Sequence, residues 1–446
     1  MSSIEEERLR DPAAYVDLEG VGEIQRAIYT DEQLYRQELD TVFRRAYQFL
    51  AHESQLKEPG DYVTTFMGED PVIVSRGEDG NVRAFLNSCR HRGMRVCRAD
   101  TGNAQFFRCP YHSWTYRNNG ELVGVPKFRQ AYEGNMDKAD WGLHEVPRVE
   151  ISHGLIFGSW DEAAPTLAEY LGDFDTIMEL LFDRAEGGVE FLPGAHRWVI
   201  DTNWKFPVEN FAADMYHVES AHGRTLDVGI LGSFGDGYQL ASGRGHVGFS
   251  HMRPVADDDD NDSISESVKI PMQYSEWLKG VRKRVAAEKG ANVARMIPAG
   301  HGTIFPNFSF LDIEILRLAR IQIPKGPNKT EIIQWCVVDK ALPQDIKDEL
   351  QRNYTLSFGP SGIFEQDDGE NWRECQTGVT GTVARELTNN LALGLSGQTT
   401  AEAHLGEGFK GLAGPVYSDV NLRVFYRHWL MLMQGATWPE ILEVTP

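Results

Sequence analysis

Two cysteine–histidine pairs constrain this chain more than any other feature: Cys89-Arg90-His91 and, after seventeen intervening residues, Cys109-Pro110-Tyr111-His112. Each short loop offers one thiolate and one imidazole. Four thiolates would hold an ordinary iron–sulfur cluster, and replacing two of them on one iron by neutral imidazoles raises the reduction potential. Two cysteines and two histidines are the ligands for a [2Fe–2S] core with two unequal irons. Tetrahedral zinc also accepts Cys2His2. Zinc fingers, however, commonly group Cys with Cys and His with His, whereas both loops here are mixed. Five cysteines in 446 residues (89, 97, 109, 336 and 375) are too few and too scattered for a disulfide framework. The three outside the loops read as reduced, buried thiols.

The flanks predict a small β-rich domain. Val72-Ile73-Val74-Ser75 and Val82-Arg83-Ala84-Phe85-Leu86 bracket Glu78-Asp79-Gly80-Asn81, a hairpin signal, and Asn118-Asn119-Gly120 is a second turn after Trp114-Thr115-Tyr116. The four ligands thus sit at loop tips. Cys-x-His-Arg-Gly at 89–93 and Cys-Pro-Tyr-His-x-Trp at 109–114 resemble the Rieske domain of aromatic-ring-hydroxylating oxygenases. One position departs from that pattern. Ser113 stands where the family usually has Gly, which would add a hydroxyl beside the cluster.

The chain is long enough for more than one domain and a sizeable core. Its net charge of −22 disfavours nucleic acid and anionic membrane as partners. No apolar run is long enough to span a bilayer, and the acidic Met1–Glu7 start lacks a signal-peptide pattern, so the expected location is cytoplasmic. The run Asp257-Asp258-Asp259-Asp260-Asn261-Asp262 reads as a solvated loop, because clustered like charges resist packing. After about residue 165 a helical stretch at 343–354 alternates with strand-like ones at Ile304–Leu311, Leu316–Ile323 and Glu331–Val338. This pattern predicts an α+β domain with an antiparallel sheet.

That domain holds a second candidate metal site within residues 203–222, where Asn210, Phe211, Asp214, His217 and His222 follow one another. Asp214 and His217, three apart, are expected on one helix face. His217 and His222, five apart, diverge by about 140° on an ideal helix. Both reach one ion only if the helix bulges or unwinds, and Gly223 offers a release point. Two such histidines on one segment are often plain hydrogen-bonding residues. An electron carrier in the same chain changes that, because a carrier needs something to reduce. Two histidines with one carboxylate and open positions form the ligand set of O2-activating non-haem Fe(II). Proximity alone would make Asp214 the carboxylate.

The resemblance assigns it elsewhere. Phe358-Gly359-Pro360-Ser361-Gly362-Ile363-Phe364-Glu365-Gln366-Asp367-Asp368 is similar to the family segment that supplies the third ligand, which implies Asp368, with Asp367 exposed or capping the helix and the exchange of the two as the alternative. Asp214 then matches the family's bridging aspartate, hydrogen-bonded to a ligand histidine of each metal site, and Asn210 an asparagine near the iron. Phe211, Val218, His301, Phe358 and Phe364 fall at expected substrate-cavity positions, although core packing is the commoner fate of such aromatics. The likeness covers nearly the whole chain and is strongest to large subunits of naphthalene- and biphenyl-type dioxygenases.

It implies a Rieske domain at 45–165, inserted into a helix-grip (START/Bet v 1-like) catalytic domain made of 1–44 and 166–446. It also implies one [2Fe–2S] cluster and one Fe2+ per subunit. The implied partners are a small β subunit in an α3β3 assembly and a ferredoxin or NAD(P)H-dependent reductase. Electrons would run from His112 through Asp214 to His217 between neighbouring α subunits. The implied reaction is O2-dependent cis-dihydroxylation of an apolar aromatic hydrocarbon. Monooxygenation, demethylation and dioxygenation of an aromatic acid are the alternatives. For an acid, Arg224 is the one cation the sequence places near the iron.

Overall fold

The computed structural model describes residues 10–18, 22–212, 214–227, 237–251, 272–313, 316–406 and 409–444, so the Asp257–Asp262 run lies outside the described residues. The chain divides into two compact units, Phe43–Leu167 and Met1–Val42 together with Ala168–Pro446.

The smaller unit is built on three antiparallel sheets. Asp70–Arg76 pairs with Val82–Leu86, Val74 opposite Ala84, across the 78–81 turn. Thr115–Arg117 pairs with Leu122–Gly124 across Asn118-Asn119-Gly120. Both expected hairpins are present. The Cys89 and Cys109 side chains belong to a buried cluster with Tyr62, Phe85, Phe107, Trp114 and Tyr116. His91 and His112 are only partly buried. The thiols therefore sit in apolar packing and the imidazoles at its edge.

The larger unit is organised by a long antiparallel sheet. Its order runs Val189–Phe191, Thr330–Asp339, Leu316–Pro324, Phe308–Ile313, Gly300–Ile304, Val247–His251, Gly237–Ala241, Leu412–Pro415, Thr399–Thr400, with His196–Ile200 also on Thr330–Asp339. The stretch 304–311 is not one strand as expected. Phe305-Pro306-Asn307 turns the chain, and Ile304 pairs back on Phe308, because proline cannot donate to a central ladder. Leu316–Pro324 is buried along its whole length despite carrying Arg317 and Arg320. Each arginine is neutralised. Arg317 meets Asp312 and Asp339, while Arg320 forks onto both oxygens of Glu365 at 3.2 and 2.5 Å.

The helix Val420–Met433 lies in the grip of this sheet. Val424 packs with Ala212, Ala241 and Val247, and Asn421 Nδ2 donates to the carbonyls of Ala212 (2.9 Å) and Gly248 (2.8 Å). The register sets His301 opposite Leu311 and Leu311 opposite Leu318. Period-2 alternation then turns His301, Leu311 and Ile313 to one face. Among the described residues no helix is long and apolar enough to cross a membrane.

Candidate metal centres

The two Cys–His loops are built alike. In the first, Cys89 N–H donates to the Met94 carbonyl (2.9 Å) and Gly93 N–H to the Cys89 carbonyl (2.8 Å). In the second, Cys109 N–H donates to the Trp114 carbonyl (2.8 Å) and Ser113 N–H to the Cys109 carbonyl (3.0 Å). The residue four beyond each cysteine takes a left-handed conformation: φ is 72° at Gly93 and 63° at Ser113. That is why a glycine suits this position, and Ser113 fills it with a side chain at a steric cost.

The loops bring His91 and His112 together, Nδ1 to Nδ1 at 3.1 Å, with the His91 ring stacked on Trp114. Cys89 Sγ lies 3.3 Å from the Tyr116 hydroxyl, whose oxygen accepts from Arg90 N–H at 3.1 Å. Burial pushes the Cys89 thiol up, with neighbouring Cys109 adding to the rise. Burial also lowers the His91 imidazole, as does the nearby His112. Two imidazoles beside two buried sulfurs fit an iron–sulfur core, whose metal charge would hold the thiolates deprotonated.

Of the bulge and the local unwinding anticipated for residues 203–222, the second site shows the unwinding. A helix runs over Lys205–Phe211, a turn follows, and one further turn spans Val218–Ala221. His217 is the residue before that turn and His222 the residue after it. The unwinding lies before His217 rather than at Gly223, which begins the next helical turn, and both rings face Asp368. Asp214 and His217 also do not share a helix face. Asp214 Oδ1 accepts from His217 N–H at 3.3 Å, while its carbonyl and Oδ2 (3.5 Å) face His217 Nδ1.

Asp368 enters from the first turn of the Glu365–Thr380 helix. The preceding bend is tight, with Ile363 N–H on the Leu356 carbonyl (3.0 Å) and Phe364 N–H on the Ser357 carbonyl (3.0 Å). A Cβ at Gly362 would lie 2.4 Å from the Ser357 oxygen, so glycine is required there. The helix is held by Arg320 on Glu365, by Asn203 N–H on Gln376 Oε1 (2.8 Å), and by Thr202 Oγ1 on the Trp372 carbonyl (3.0 Å).

As a result His217, His222 and Asp368 present one donor atom each within 4.8 Å of one another. Asp368 Oδ1 lies 3.3 Å from His217 Nε2 and 3.4 Å from His222 Nε2, and this fully buried oxygen has no hydrogen-bond partner. Burial opposes a charged His217, yet Asp214 and Asp368 outweigh it and raise the imidazole to about 10. Asp368, despite its own burial, is held well below the usual carboxylate range by His217 and His222. The geometry calls for a cation, and a metal ion would displace the proton. Two imidazoles and one carboxylate, with an unpaired oxygen between them, fit non-haem ferrous iron.

The triad lines a solvent-open cavity with about 640 Å³ of empty space, open solvent included. Phe211, Val218, His301, Phe358 and Phe364 all line it, as does Asn210, whose Nδ2 lies 3.4 Å from His217 Nε2. Sequence reasoning missed Met215, Leu311 and Ile313 in the same wall. Alternation along Phe308–Ile313 could have found the last two. Burial keeps His301 neutral, lowering it to about 4. Arg224 is exposed. Among the described residues Arg320 lies near the cavity, 3.9 Å from the Phe211 ring centroid, and both its terminal nitrogens are taken by Glu365.

Residues 46–146 match the model of the Rieske [2Fe-2S] domain, and residues 190–435 that of the ring hydroxylating alpha subunit (catalytic domain). The chain is 39% identical to the biphenyl 2,3-dioxygenase subunit alpha of Rhodococcus jostii (strain RHA1), over 98% of this chain and 94% of that protein. It is 39% identical to a benzene 1,2-dioxygenase subunit alpha of Pseudomonas putida, over 95% and 94%. A crystal structure of a naphthalene 1,2-dioxygenase mutant bound to phenanthrene superposes with a TM-score of 0.87 at 32% identity, covering 97% of this chain and 96% of that one. With both domain models matched in order and relatives aligned over nearly their full length, the chain belongs to the alpha subunits of the Rieske aromatic-ring-hydroxylating dioxygenases.

Proposed function

We propose that this chain is the terminal oxygenase subunit of a multicomponent system that adds both atoms of O2 to an apolar aromatic ring, giving a cis-dihydrodiol. The observation that carries the reading is a buried Asp368 oxygen without a hydrogen-bond partner, 3.3 and 3.4 Å from two imidazole nitrogens in the lining of an apolar cavity. Ferrous iron on His217, His222 and Asp368 would supply O2-activating chemistry, and a [2Fe–2S] cluster on Cys89, His91, Cys109 and His112 would supply single electrons.

The chain's own groups do the rest. Phe211, Val218, Phe358, Phe364, Met215, Leu311 and Ile313 hold a ring by apolar contact and exclude water from it. Neutral His301 offers the cavity a hydrogen-bonding group without a charge. Asp214 holds His217 on one side and keeps its carboxylate 38% exposed, so it can accept a hydrogen bond from a cluster histidine of a neighbouring subunit. A carboxylate substrate would want a bidentate arginine. Arg320 is already occupied by Glu365, which favours hydrocarbons over aromatic acids. The relatives are named for biphenyl and benzene and as alpha subunits, which supports hydrocarbons and a further subunit; a ferredoxin or NAD(P)H-dependent reductase would supply the electrons.

The test is turnover of the purified complex with ferredoxin, reductase, NADH and labelled O2 on benzene, naphthalene, biphenyl, benzoate and phthalate. The expected product is a dihydrodiol of a hydrocarbon carrying two labelled oxygens. Coupled turnover of only the acids, or incorporation of a single label, would overturn the reading.

A further inference from the structure

The two imidazoles of the iron site are backed by different means. His217 Nδ1 faces Asp214, three residues before it in the chain. His222 Nδ1 lies 3.2 Å from Oδ2 of Asp367, on a different element 145 residues away. Asp367 directly precedes Asp368, whose Oδ1 is 3.4 Å from the other nitrogen of the same ring. Successive helix residues point about 100° apart. The first turn of the Glu365–Thr380 helix therefore reaches both edges of one imidazole. Phe364, just before that helix, closes a third side, its ring 5.2 Å from that of His222 and near perpendicular to it.

We infer that Asp367 is a positioning residue for the iron site: its carboxylate accepts the Nδ1–H of His222 and leaves Nε2 as the lone-pair nitrogen facing the ion. This rests on the reading that His222 and Asp368 are iron ligands. A carboxylate behind a ligand histidine fixes tautomer and ring orientation and makes the ring a better donor. Asp367 could instead act only as a negative charge in a helix first turn. The two roles separate by substitution. Asp367→Asn and Asp367→Ala both remove the charge, but only Asn keeps an acceptor oxygen in place. The Asp367 side chain is 44% exposed, so its truncation opens no sealed cavity; Asp367→Ala takes this partner from the buried His222 Nδ1, whereas Asp367→Asn keeps one.

The experiment measures the Fe(II) dissociation constant of the whole oxygenase, cluster assembled, by equilibrium dialysis. The visible ligand-field spectrum after Co(II) substitution is a second readout. Asp367→Ala is expected to bind Fe(II) roughly 10- to 100-fold more weakly and to shift the Co(II) bands. Asp367→Asn is expected to stay within about tenfold of wild type, with bands close to wild type. Unchanged affinity in Asp367→Ala, or equal weakening in both variants, would sink the positioning role. If Asp368→Ala kept iron while Asp367→Ala bound none even at excess metal, the ligand assignment itself would fall instead.

Discussion

Ser113 and Tyr116 show how single residues set the properties of the cluster loops. At φ 63° Ser113 holds a left-handed conformation costing a side-chain-bearing residue about 1–2 kcal/mol. Glycine relieves that strain but has more freedom to lose from the unfolded chain. Ser113→Gly should therefore stabilise the cluster-bearing unit by roughly 0.5–1 kcal/mol, read from denaturant unfolding followed at the cluster absorbance. Ser113→Ala keeps the Cβ and should bring no gain; an equal gain from both would rule out strain. Tyr116 receives the Arg90 N–H on its oxygen and so directs its own hydroxyl at Cys89 Sγ. Burial and that contact both raise the Tyr116 hydroxyl, so it stays a donor. A hydrogen bond to sulfur favours the more negative, reduced cluster. Tyr116→Phe should lower the reduction potential by on the order of 40 mV, the one-electron equivalent of about 1 kcal/mol. Redox titration followed by EPR measures it, and an unchanged or raised potential would contradict the assignment.

At the scale of elements, ligand chemistry was legible and chain direction was not. The Cys–His loops and the Asp367-Asp368 segment carry their meaning in contiguous residues. The five-residue spacing of His217 and His222 called for a bulged or unwound helix, but the place of the break between Lys205–Phe211 and Val218–Ala221 goes with distant partners, Asn421 on the Ala212 carbonyl among them. Arg320 was hidden for a related reason, because its neutralising Glu365 lies 45 residues away. Glu209, next to Asn210, shows the same dependence. It is half-buried, and its carboxylate accepts from Tyr29 OH (2.9 Å) and from Tyr426 OH. Burial pushes its carboxyl from 4.5 up to about 7, against the pull of the two tyrosines and Lys205. Between those values the native chain keeps a proton that the unfolded chain has lost. Stability therefore falls as pH rises from about 4.5 to 7, by about 3 kcal/mol from this group. Glu209→Gln is always neutral and still offers an acceptor oxygen. Its stability relative to wild type should rise by about that amount between pH 4.5 and 8, measured by urea unfolding at both ends. A pH-independent difference would mean that Glu209 is ionised throughout.

For the whole molecule, the alternation of patterns predicted an antiparallel α+β architecture beside a β-rich unit, and both are present. The long sheet's strand order was out of reach, because it joins strands as distant as Gly237–Ala241 and Leu412–Pro415. The two candidate metal sites fall in different units: the four cluster residues within Phe43–Leu167, the triad in the other. Each unit has its own buried apolar cluster, Cys89 and Cys109 packing in the first and Met215 and Val218 in the second. Loss of one ligand should therefore stay local. His217→Ala removes one of two neutral donors from a three-ligand site, so the mononuclear ion should leave. The ring is only 17% exposed, and its removal opens space beside the solvent-connected cavity rather than in a sealed core. Iron content should drop from about three to about two per chain, two irons remaining in the cluster. Turnover should vanish, while the visible absorption and reduced EPR signal of the cluster keep their wild-type form. Loss of the cluster signal along with the third iron would show that the two sites do not stand on independent units.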